Sequence, residues 1–141
     1  MIDDGEQLSN ADYARLLEFR TGLRRFLRWS ETQAAEIGVT PAHHQLLLAI
    51  RGCGHSHGPT MGDVAEALLL KHHSAVGLVD RAEAAGLVAR HTDPADQRVV
   101  RLALTTLGER RVQQLSRTHL EELQRLAPRA RSLWSDLEVA Q

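Results

Sequence analysis

At Gly86 the hydrophobic pattern of this chain changes period, and that change constrains the fold more than any other feature. Upstream of it, Met61, Val64, Ala65 and Leu68 recur at helical spacing, and Val76, Val79 and Ala82 do so again. Downstream, Leu87-Val88-Ala89-Arg90-His91 and the run from Arg98 to Leu104 are β-prone, with Val100, Leu102 and Leu104 alternating in the second. Between the runs, Thr92-Asp93-Pro94-Ala95-Asp96-Gln97 is turn chemistry, with Asp at the first position and Pro at the second. Two amphipathic helices joined by a short turn describe either an ordinary helical hairpin or a helix-turn-helix. A β-hairpin directly after them selects the second and makes it a winged helix.

The second helix of the pair, over the stretch from Leu70 to Gly86, has two unlike faces. Val76, Val79 and Ala82 form the apolar one. His73, Gly77, Asp80, Arg81 and Ala84 fall on the other, which departs from the Glu and Lys of an ordinary solvated surface. Gly77 in mid-helix is unfavourable by roughly 0.5–1 kcal/mol relative to Ala and marks a place where something approaches the backbone closely. Gly86 ends the helix in the left-handed conformation.

The flanks are helical as well. Ser9 or Asn10 caps a helix running to Ile37, with Tyr13, Leu16, Leu17, Leu23, Phe26, Leu27 and Ile37 as its stripe and Gly38 as its stop. Its Arg15, Arg20, Arg24, Arg25 and Arg28 read as a solvated face. Thr40 followed by Pro41 opens the next helix, which carries Leu46, Leu47, Ala49 and Ile50 and ends near Arg51. Thr60 caps the third. Thr105 caps the last long helix, with Leu107, Val112, Leu115, Leu120, Leu123 and Leu126 along it. Pro128 predicts a break there, followed by a short helix with Leu133, Trp134 and Leu137. The terminal helices hold more apolar surface than one protomer can hide, which predicts a homodimer built from them.

With 141 residues, 43% hydrophobic and 25% charged, the chain suits a single domain over 1–141. Within it, 9–37 and 106–138 are the expected dimerisation helices and 40–105 the winged helix-turn-helix, a mainly α (α+β) class. No run of 18 apolar residues occurs, and the start Met-Ile-Asp-Asp-Gly-Glu is acidic where a signal peptide would be basic, so a cytoplasmic protein without a membrane partner is expected. The lone Cys53 excludes an internal disulfide. A net charge of −1 argues against non-specific coating of nucleic acid but allows a specific reader with local positive groups.

An ordered series of short motifs resembles the multiple antibiotic resistance regulator (MarR) family of bacterial winged-helix transcription factors. It comprises Thr60-x-x-Asp63-Val64-Ala65, Ser74-Ala75-Val76, Val79-Asp80-Arg81, Gly86-Leu87-Val88, Asp93-x-x-Asp96-x-Arg98, Leu102-x-Leu104-Thr105 and Gly108. The resemblance implies a sequence-specific regulator of double-stranded DNA, expected to be a repressor. Its homodimer would sit on a pseudo-palindromic operator, each recognition helix in the major groove and each wing over the adjacent minor groove. By position it implies DNA contacts from Thr60, Lys71, His72, His73, Ser74, Gly77 and Arg81. Arg98 matches the arginine that enters the minor groove, with Asp96 holding it. Gly77 stands where many relatives have a hydrogen-bonding residue, and Ala82 where a Leu is usual. The His-rich Lys71-His72-His73 predicts DNA binding that strengthens below about pH 6.5, where imidazole gains charge. The resemblance also implies a small aromatic or phenolic effector in a crevice lined by Phe26, Trp29, His44 and Leu47.

Three rival chemistries are visible. Cys53, His55 and His57, with His43 and His44 nearby in sequence, are suitable ligand types for zinc or copper, although Cys-x-His-x-His is not a standard spacing. The same residues frame the alternative of a metal- or redox-responsive winged-helix regulator; otherwise no cofactor is expected. An enzyme is not: Ser74, His72 and His73 are helix neighbours that point apart, and Asp93 and Asp96 are read as exposed turn residues.

Overall fold

A computed structural model describes residues 5–139, with the side chains of 134 and 136–139 outside the described set. The reading of residues 1–4, and the faces assigned to Trp134 and Leu137, therefore lie outside the described residues. The elements run α1 (Asn10–Glu36), α2 (Pro41–Arg51), α3 (Met61–Ala67), α4 (His72–Ala84), β1 (Val88–Thr92), β2 (Val100–Leu104) and α5 (Thr106–Val139). No helix among the described residues is long and apolar enough to cross a membrane. The chain forms two compact units, one from the segments up to Thr32 and from Arg117 onward, the other from Gln33–Ser116.

In the Gln33–Ser116 unit the helix starts follow local chemistry. Thr40 Oγ1 accepts the His43 N–H at 3.1 Å, with Pro41 at the first helical position. Thr60 and Asp63 form a reciprocal capping box, in which the Thr60 N–H donates to Asp63 Oδ2 at 3.0 Å and the Asp63 N–H to Thr60 Oγ1 at 3.1 Å. Thr105 Oγ1 accepts the Gly108 N–H at 3.0 Å and donates to the Gly86 carbonyl at 2.6 Å. One hydroxyl thereby fastens the start of α5 to the end of α4, where Gly86 has φ +75°.

The core of this unit lies among α2, α3, α4, the hairpin and the start of α5. Leu46, Leu47, Val64, Val79, Ala82, Val88 and Leu102 are all buried within it. On α4 the buried face is Ala75, Leu78, Val79 and Ala82, while Val76 is only half-buried, so the apolar stripe is rotated from the one expected. The face turned toward the α2, α3 and hairpin residues of the core is the one that is buried. Lys71 is the N-cap, without a side-chain hydrogen bond, and Leu69 before it occupies the left-handed region at φ 55°.

Strands β1 and β2 pair antiparallel with His91 opposite Arg101 and Val88 opposite Leu104. Both start later than the β-prone runs suggested. Only Leu102 of the alternating set is fully buried; Leu104 packs partly against the core and Val100 is exposed. The hairpin is also held from its side, because Leu102 N–H donates to the Pro59 carbonyl at 2.8 Å. A side chain at Gly58, φ +84°, would overlap the Leu102 carbonyl, so this close pairing needs glycine there.

In the other unit, α1 and α5 meet through Ser30 Oγ and His119 Nε2 at 2.6 Å, and Arg129 Nη2 donates to Glu18 Oε1 at 2.9 Å. The expected break at Pro128 is absent: α5 runs through it. The missing N–H and the ring both act on the Gln124 carbonyl, and Gln124 and Pro128 are exposed, so water can satisfy that group. Tyr13, Leu16, Leu17, Leu23, Leu27, Leu120 and Leu123 remain exposed along these helices.

Candidate nucleic-acid interface

The wing tip is built on a buried carboxylate. Asp93 was expected to be an exposed turn residue; it is 6% exposed. Its Oδ1 accepts the N–H groups of Ala95 and Asp96 at 2.8 and 3.0 Å, and its Oδ2 accepts Arg101 Nε. Arg101 Nη1 continues to the Gly58 carbonyl at 2.9 Å. The Arg101 hydrogen bond, then the two backbone N–H groups, hold the Asp93 carboxyl down at about 2. This network ties the turn, β2 and the segment before α3 into one piece.

On that base stands Arg98. Asp96 Oδ1 accepts both its backbone N–H at 3.0 Å and its Nε at 3.1 Å, and Asp96 Oδ2 accepts Nη2 at 3.1 Å. The side chain is nevertheless 91% exposed. Asp96 thus aims the guanidinium without burying it, and the Arg98 hydrogen bond in turn lowers the Asp96 carboxyl. A cation so placed suits a narrow minor groove, where the negative potential is enhanced.

On α4, Lys71, His72, His73 and Arg81 are exposed and Ser74 is half-buried. The helix also carries Asp80 and Glu83, which would repel phosphate. Arg90 of β1 takes both: Nη2 donates to Asp80 Oδ1 at 2.6 Å and Nη1 to Glu83 Oε1 at 2.7 Å. The wing strand therefore neutralises the acids of the helix and fixes itself to it. Sequence reasoning missed Arg90 and Arg101. The hairpin register could have revealed Arg101, since with His91 opposite it Asp93 lies diagonally adjacent on the same face.

Thr60 serves first as the α3 cap, with its hydroxyl hydrogen still available to donate. Gly77 is half-buried, and an added Cβ there would meet Arg81 Nη1 at 3.2 Å. On α2, partial burial and then the Arg81 charge push the His43 imidazole below its usual value.

The other candidates fall elsewhere. Cys53 Sγ accepts the His55 N–H at 3.4 Å, and the His57 N–H donates to His55 Nδ1 at 3.1 Å. Among the described residues no three His, Cys, Asp or Glu side chains come together as a metal site. Of the effector candidates, Phe26 and Trp29 belong to one unit and His44 and Leu47 to the other. The Trp29 and His119 ring centroids are 4.8 Å apart, and Phe26 meets His119 edge-on at 6.0 Å.

A family model described as MarR family matches residues 37–99, from the end of α1 to the wing tip. The winged-helix segment is therefore similar to that of the MarR family. Solved structures of similar fold include MepR, a transcription regulator of the Staphylococcus aureus multidrug efflux pump MepA, at 22% identity, 92% of this chain and 98% of that one, and TM-score 0.71. The S. aureus MepR–DNA complex is 19% identical over 94% of this chain and 100% of that chain, with TM-score 0.69. AbsC, a MarR family transcriptional regulator from Streptomyces coelicolor, is 19% identical over 85% and 80%, with TM-score 0.71. No curated protein matches by sequence. The MarR match spans the elements that carry Arg98, Asp96 and the α4 cations.

Proposed function

We propose that the chain is a transcriptional regulator that binds double-stranded DNA sequence-specifically as a homodimer, acting as a repressor on a two-fold operator. The observation that carries this reading is Arg98, held by Asp96 and almost fully exposed, at the tip of a hairpin pinned to a MarR-type helix-turn-helix. Solved DNA complexes of a protein of the same fold support it. In this reading α4 enters the major groove with His72, His73 and Ser74 at its leading end, and Arg98 enters the minor groove. The exposed apolar residues of α1 and α5 supply the dimer surface, so the half-sites lie about one helical turn apart. Release by a small aromatic or phenolic effector at Phe26 and Trp29 belongs to the same proposal.

The test is a gel shift with DNA flanking the protein's own gene across a salt series, using the unaltered protein and Arg98→Ala. Specific binding that weakens with salt and falls in the variant is expected. If no salt-dependent binding occurs, the regulator reading fails.

A further inference from the structure

The glycine in the middle of α4 first suggests clearance for an approaching DNA backbone. The structure places something else over it. On a helix, side chains lean toward the N-terminus and residues four apart are neighbours, so Arg81 naturally reaches back over position 77. Its Nη1 lies 3.2 Å from where a Cβ at Gly77 would stand, which is closer than ordinary contact. Among the described residues, chain neighbours and the helix's own backbone apart, no other atom comes within 4 Å of that point.

The surrounding charges give this seat a purpose. Arg81 is the single Arg of α4, and no Lys lies within the helix. Its acidic neighbours Asp80 and Glu83 are both occupied by Arg90, at 2.6 and 2.7 Å. Among the described residues no carboxylate forms an ion pair with Arg81, and its charge is felt instead at His43 on α2. Arg90 therefore leaves Arg81 as a free cation, and Gly77 lets it lie along the outer face of α4.

We infer that Gly77 and Arg81 act as one unit, in which the missing side chain at 77 seats the Arg81 guanidinium so that it meets a DNA phosphate. The inference rests on the DNA-binding reading above and deepens it. Gly77 is then a positioning residue acting through Arg81, and Arg81 is a phosphate contact carrying no sequence information of its own.

A double-mutant cycle tests this, with Gly77→Leu, Arg81→Ala and the double variant. Binding to a random-sequence duplex of about 30 base pairs, long enough for two half-sites, is measured across a salt series. Gly77→Ala serves as a milder filling of the seat, and thermal melting checks that every variant folds. Arg81→Ala should lower the slope of log affinity against log salt by about 0.9, the value for one phosphate. Gly77→Leu should lower it similarly, with Gly77→Ala between, and the double variant should be no worse than Arg81→Ala. If the Gly77 and Arg81 losses instead multiply, Gly77 is clearance for DNA and the inference is overturned. An unchanged slope in Gly77→Leu overturns it too. In either case the regulator reading survives as long as the unaltered protein binds and Arg98→Ala weakens it. Absence of salt-dependent binding by the unaltered protein overturns both.

Discussion

At the scale of single residues, two carboxylates three positions apart do different work. Asp96 aims an exposed arginine, whereas Asp93 is buried and holds the wing together. Arg98→Ala should therefore weaken DNA binding and lower the salt slope by about 0.9 while leaving the melting temperature nearly unchanged. Asp93→Asn should behave oppositely, lowering the melting temperature first, because it removes the charge facing partly buried Arg101. The Asp93 carboxyl is depressed in the folded state to about 2, against an ordinary 3.8. Its stabilisation is thus complete above the ordinary value and is lost as pH falls through about 2. Acid unfolding followed by circular dichroism should lose this component in Asp93→Asn. An unshifted acid limb would show that the pair contributes nothing.

At the scale of elements, the turn between α3 and α4 holds a local strain. Leu69 sits at φ 55° and is 92% exposed, so it loses backbone comfort and gains no burial. The Leu69 N–H donates to the Glu66 carbonyl and the Leu70 N–H to that of Ala65, a Schellman ending that glycine usually completes. The left-handed conformation costs an L-residue roughly 1–2 kcal/mol. Leu69→Gly should stabilise the protein by about 1 kcal/mol after the added chain entropy of glycine, read as a higher urea midpoint at unchanged slope. Pro128 offers a parallel case in α5. Its presence inside a continuous helix predicts that Pro128→Ala raises the melting temperature, with about 3 kcal/mol as the upper bound set by helix propensity. Caps were legible in the sequence because Thr40, Thr60 and Thr105 act on N–H groups three residues away. The buried face of α4 was not, because it is set by packing against α2, α3 and the hairpin.

At the scale of the whole molecule, α1 and α5 carry a row of exposed leucines, with Leu17 at 65% and Leu120 at 61%. So large an apolar face on helices of 27 and 34 residues is what a partner protomer would cover. Leu17→Glu combined with Leu120→Glu should yield a monomer by light scattering. Losing the linkage between two half-site contacts should weaken operator binding by about 100-fold or more. A dimer that persists in the double variant would place the protomer contact elsewhere.

The sequence alone determined the order of elements as far as the start of α5, the threonine caps and the winged-helix architecture, because hydrophobic period and capping are local properties. It also placed Asp96 and Arg98 together at the tip, since they are near neighbours in one turn. Tertiary structure alone decided which charges remain free. Arg90 pairs with Asp80 and Glu83, ten and seven positions upstream, and Arg101 reaches across the hairpin to Asp93 and on to Gly58. Those pairings depend on how β1 packs on α4 and how β2 lies beside the segment before α3, and no local pattern encodes either distance.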